Sequence, residues 1–125
     1  MHKVFVYGSL KRGFGNHRVI EASTTRFLGV GSLADGVMYS LGGFPGVIRG
    51  KGEIQGELYE VDDATLGRLD CLEGHPTFYE RQDMEVQTNE GRVACQGYIY
   101  QGDVSYMPHI ESGDWSHGAI NRRIR

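Results

Sequence analysis

The chain has 125 residues, of which 39% are apolar and 23% charged. These are the proportions of one soluble globular domain, spanning 1–125, with no room for a second full core. The formal net charge of −3 lacks the basic face of a nucleic-acid binder. No N-terminal apolar stretch is long enough for a signal peptide or a membrane span. Cys71 and Cys95 fit neither a disulfide framework nor a zinc pattern, and the five histidines show no ligand spacing, so no metal is expected. A reducing, cytoplasmic setting follows, with both cysteines as small core residues.

Lys3–Tyr7 reads as a buried first strand that stops abruptly at Gly8-Ser9. A strand ending at a Gly-containing turn can aim several backbone N–H groups at one spot, which suits an anion or a carbonyl oxygen gaining charge. Lys11–Gly15 is a loop, and Asn16 can cap a short helix from about His17 to Ala22. Strands follow at Phe27–Leu33 and Val37–Leu41, around the turn signal Ala34-Asp35-Gly36. Gly42-Gly43-Phe44-Pro45-Gly46 reads as irregular loop, with another strand starting at Val47–Arg49. Ile54–Val61 is a strand with Ile54, Leu58 and Glu60 on one side and Tyr59 and Val61 on the other.

Asp62 or Asp63 then caps a helix that runs to about Leu72, with Gly74 as its left-handed stop. Met84–Thr88 and Val93–Tyr100 form a hairpin about Asn89-Glu90-Gly91, and the last twenty-five residues carry little periodicity. The basic ending Arg122-Arg123-Ile124-Arg125 reads as a solvated terminus. Six or seven short strands with two short helices make an α+β domain, built on a small, mostly antiparallel β-barrel with the helices outside.

Within the second helix, Leu66, Leu69 and Leu72 mark an apolar stripe, and Glu73 falls on it, four residues after Leu69 and seven after Leu66. The negative end of the helix dipole and partial burial both disfavour an ionised carboxyl there, raising its pKa toward neutrality. The alternative is that Glu73 lies past the last turn and swings into water. Asp70 points off the stripe and is expected to make hydrogen bonds at the surface or behind the site. Tyr7, Tyr79, Tyr98, Tyr100 and Tyr106 are expected in the barrel core, each hydroxyl reaching a partner. Tyr79 follows the His75-Pro76 turn, and a chain reversing there can instead bring its hydroxyl to the pocket of Glu73. Ser9 lacks the Gly-x-Ser-x-Gly elbow of a serine hydrolase, and Gly8, Gly13 and Gly15 lack a phosphate-loop ending.

Taken together, Val4-Phe5-Val6-Tyr7-Gly8-Ser9-Leu10-Lys11-Arg12-Gly13 with Asn16-His17, then Leu69-Asp70-Cys71-Leu72-Glu73-Gly74 and Tyr79-Glu80-Arg81, resemble the γ-glutamylcyclotransferase-like family. The nearest look is to its γ-glutamylamine cyclotransferases. The resemblance runs to about residue 115, with looser agreement at Phe44-Pro45-Gly46 and Tyr98-Ile99-Tyr100. It implies a small barrel with a pocket at one end, in which Glu73 moves protons, Tyr7-Gly8-Ser9-Leu10 bind a γ-glutamyl group, and Tyr79 lines the pocket. Family loops often carry Thr where Ser9 stands. The implied reaction is an intramolecular cyclisation of γ-glutamyl amines that releases 5-oxoproline and a free amine, with no cofactor and no partner but the small substrate, in a monomer or homodimer. The alternative is a catalytically inactive module that kept the fold and binds γ-glutamyl or related metabolites.

Overall fold

The computed structural model describes residues 1–116. Along the chain come β1 (His2–Val6), α1 (His17–Ile20), β2 (Arg26–Leu33), β3 (Gly36–Ser40), β4 (Pro45–Arg49), β5 (Ile54–Val61), α2 (Asp63–Glu73), β6 (Tyr79–Thr88) and β7 (Gly91–Tyr100). Five strands close into a barrel in the order β1-β5-β2-β6-β7. Its neighbours are antiparallel except at the closing seam, where β1 runs parallel to β7 with Phe5 opposite Gly97. The protein is therefore a small α+β barrel.

Alternation along the strands builds two cores from one wall. Phe5, Ile54, Leu58, Met84, Val86, Cys95 and Ile99 fill the barrel. Val4, Val6, Tyr59 and Val61 face the other way, toward Ile20 of α1 and Leu66 and Leu69 of α2. A five-stranded barrel is narrow, and Gly97 makes room inside it: a Cβ there would sit 2.7 Å from the Met84 sulfur. The segment from Gly113 to Trp115 also belongs to the core. Trp115 is buried among the barrel residues, and the Gln55 amide donates to the Gly113 carbonyl at 2.8 Å. Lys11, only 8% exposed, donates from Nζ to the Trp115 carbonyl at 2.9 Å and pairs with Asp114 at 3.1 Å.

Several expectations change. β2 and β3 flank a turn but do not pair; β3 instead pairs with β4 in a separate two-stranded sheet. Pro45 and Gly46 are strand rather than loop. Pro45 begins β4, a position that asks little of its missing N–H. β6 starts at Tyr79, five residues before the expected Met84, because β7 supplies ladder partners from Tyr100 downward. α1 stops at Ile20, and Asn16, at its N-cap position, makes no side-chain capping bond. Leu72 lies 42% exposed and Tyr106 94% exposed, off the stripe and outside the core that the sequence suggests. Cys95 is buried as expected, but Cys71 is exposed. The Arg122–Arg125 ending and His117 lie outside the described residues. Among those described, no helix is long and apolar enough to cross a membrane.

Candidate active site

A cavity of about 290 Å³ opens at the C-terminal end of β1. Tyr7, Gly8, Ser9 and Leu10 form one side, Leu72 and Glu73 of α2 another, with Phe44, Phe78, Tyr79 and Tyr98 around them. The structure thus brings every site residue read from the sequence to one cavity.

The loop after β1 is a tight turn in which the Lys11 amide donates to the Gly8 carbonyl at 3.1 Å. Its two central residues, Ser9 and Leu10, donate their own N–H groups to no backbone carbonyl among the described residues. Both line the cavity, so these amides are available to an anionic or carbonyl oxygen. Asn16 pins the turn twice: its amide donates to the Ser9 carbonyl at 3.0 Å, and its Nδ2 donates to Ser9 Oγ at 2.9 Å. Gly8 is needed here for packing, since a Cβ would come within 3.0 Å of the Pro45 ring.

Glu73 is the last residue of α2. The helix is set by local signals at both ends. Asp62 accepts from the Thr65 amide at 2.8 Å, and Gly74 at φ 66° turns the chain away. Fixing where the helix stops fixes Glu73 at the cavity wall. No hydrogen bond or ion pair holds its carboxyl among the described residues, and burial raises its pKa from 4.5 to about 7. Among the described residues lining the cavity, Glu73 alone has a formal charge. A carboxyl that exchanges its proton near neutrality suits general acid–base work.

The surrounding tyrosines are held rather than free. Tyr79 donates to the Pro45 carbonyl at 2.5 Å, and Tyr7 donates to the Tyr98 carbonyl at 2.7 Å. Burial, and then the neighbouring Glu73 carboxyl, push the Tyr79 phenol far above its ordinary range, so it stays protonated and serves as a fixed wall. Asp70 stands behind the site as expected. It accepts from Tyr98 at 2.7 Å and from Arg81. Burial opposes its ionisation, but these bonds outweigh that effect and hold its pKa below the usual carboxylate range.

Sequence reasoning did not assign Asn16, Phe44, Leu72, Phe78 or Tyr98 to the pocket. Asn16, Phe44, Leu72 and Tyr98 all stand in segments that carry the resemblance, which is the signal that could have found four of them. Leu72 looked like core by helical spacing, and Tyr98 like an ordinary strand residue.

A closed barrel with one proton-exchanging carboxyl opposite a turn of unspent amides has the make-up of an acid–base enzyme for a small molecule. Comparison with known proteins narrows that class. Residues 4–117 match the family described as gamma-glutamyl cyclotransferase, AIG2-like, and the chain belongs to this family. The gamma-glutamylcyclotransferase family protein YtfP of Escherichia coli is 40% identical over 113 residues, covering 90% of this chain and 95% of that one. Its solution structure superposes with a TM-score of 0.70 at 38% identity, over 90% of this chain and 95% of that one. The crystal structure of an AIG2-like protein from Mus musculus superposes with a TM-score of 0.81 at 28% identity, over 100% of this chain and 99% of that one.

Proposed function

We propose that this γ-glutamylcyclotransferase-family enzyme acts on γ-glutamyl amines and releases 5-oxoproline. The observation that carries the reading is Glu73: a carboxyl raised to about 7 in the same cavity as the free amides of Ser9 and Leu10.

The substrate brings its own nucleophile. Its α-nitrogen attacks the side-chain carbonyl carbon, a five-membered ring closes, and the bond from that carbon to the amine nitrogen breaks. Two protons leave the α-nitrogen and two reach the leaving nitrogen, which departs as an ammonium ion. Glu73 as carboxylate takes a proton from the α-ammonium and, once protonated, delivers it to the leaving nitrogen. The Ser9 and Leu10 amides hold the glutamyl carboxylate or the oxyanion. Tyr7, Tyr79 and Pro45 hold the glutamyl chain folded so that its ends meet, an effect of proximity.

Incubation of the purified protein with a panel of γ-glutamyl amines, with 5-oxoproline followed by mass spectrometry, tests this reading. Glu73→Gln keeps the size of the side chain and removes the proton, and should lower turnover by roughly 10²–10⁴-fold. A Gln variant within a few-fold of the parent would remove Glu73 from the mechanism.

A further inference from the structure

The cavity changes character toward its mouth. Phe44, Leu72 and Phe78 all line it, yet they remain 39%, 42% and 44% exposed. These large apolar side chains therefore form the edge where the cavity meets water. The Phe44 and Phe78 rings lie 6.1 Å apart. Phe78 is braced edge-on by Tyr79 at 5.1 Å and Tyr100 at 5.3 Å, so it cannot fold away into the core. Apolar side chains gathered at a pocket rim mark a surface that a ligand covers.

The substrate's orientation follows from the two ends of the cavity. The glutamyl end belongs with the Ser9 and Leu10 amides, and the bond that breaks must lie beside Glu73. Phe44, Leu72 and Phe78 line the same cavity as Glu73 and are its exposed apolar residues, so a group leaving for water passes over them. Among the described residues, no Lys, Arg or His lines the cavity. Among those residues an amino-acid leaving group would meet no cation for its carboxylate, and Glu73 is the single carboxyl that could face a second ammonium.

We infer that the rim of Phe44, Leu72 and Phe78 is the leaving-group subsite, and that the amine released has an apolar alkyl or aryl body with no charged group besides its own nitrogen. This rests on the cyclotransferase reading above.

The test is a series of synthetic γ-glutamyl amides whose leaving amines share one basicity: methylamide, butylamide and hexylamide. The γ-glutamyl amide of 6-aminohexanoate adds a terminal carboxylate to the hexyl chain. Rates of 5-oxoproline release should give a kcat/KM that rises about two-fold per added methylene, as half-burial of each group predicts. The carboxylate-ended amide should fall well below the hexylamide. Leu72→Ser with Phe44→Ser should cut the hexyl-to-methyl preference by about ten-fold. A flat series, or a preference for the carboxylate-ended amide, overturns the subsite while leaving the cyclotransferase reading intact. Absence of 5-oxoproline from every member overturns both.

Discussion

Burial of Glu73 acts on rate and on stability with opposite preferences. In the proposed mechanism the free enzyme uses the carboxylate to accept the substrate ammonium's proton, so kcat/KM should rise as pH passes through about 7. Its titratable neighbours, Tyr7, Tyr79 and Tyr98, all have raised pKa values and stay neutral across that range. For stability the direction reverses. The folded carboxyl keeps its proton up to about pH 7, whereas an ordinary one releases it near 4.5. Between those values the folded state binds more protons, so stability falls as pH rises, by about 3 kcal/mol in full. Glu73→Gln should be more stable relative to the parent at pH 8 than at pH 5 in urea titrations; an equal difference at both would contradict the half-buried, raised carboxyl. Tyr79→Phe loses the bond to the Pro45 carbonyl, roughly 0.5–1.5 kcal/mol, and should weaken turnover about ten-fold at most. A phenylalanine variant as inactive as Glu73→Gln would assign proton transfer partly to the phenol.

At the scale of elements, α2 was readable almost to the residue because both of its ends are local chemistry. Asp62 caps it and Gly74 stops it, each through side-chain or backbone features that the sequence displays. Gly74→Ala tests the stop. It forces a Cβ into φ 66° and to within 3.0 Å of Phe78 Cβ, and should destabilise by about 1–2 kcal/mol. Thermal melts with kinetics would show whether the altered helix end also displaces Glu73: a normal Tm with normal turnover would mean that the turn is not needed. What helical spacing could not show is that the stripe ends at Leu69. Leu72 lies beyond the reach of the wall that buries Leu66, and faces the cavity instead. The first half of β6 was hidden for a related reason. Glu80, Arg81, Gln82 and Asp83 carry no apolar alternation, and only pairing with Ile99, Tyr98, Gly97 and Gln96 of β7 makes them strand. Arg81 there reaches Asp70, joining β6 to α2 behind the site.

For the molecule as a whole, the barrel was legible as a class, because short alternating strands with Gly turns admit few other closures. Its seams were not. The parallel β1–β7 contact joins residues far apart in sequence, and nothing in either strand's composition announces the partner. The burial of Trp115 was equally invisible, since the segment around it has no periodicity. Trp115→Ala should cost roughly 3–5 kcal/mol, as for other buried large-to-small changes. Denaturant titration would read it, and a loss under 1 kcal/mol would mean that the segment around Trp115 merely rests on the barrel. Trp115 is also the chain's only tryptophan, and its carbonyl is held by Lys11, the residue that closes the turn proposed to grip substrate. The protein therefore carries an intrinsic fluorophore whose backbone is hydrogen-bonded to the turn proposed to hold ligand. Emission excited at the indole should shift when that loop is occupied, so binding of the proposed product would be followed in a cuvette without a label.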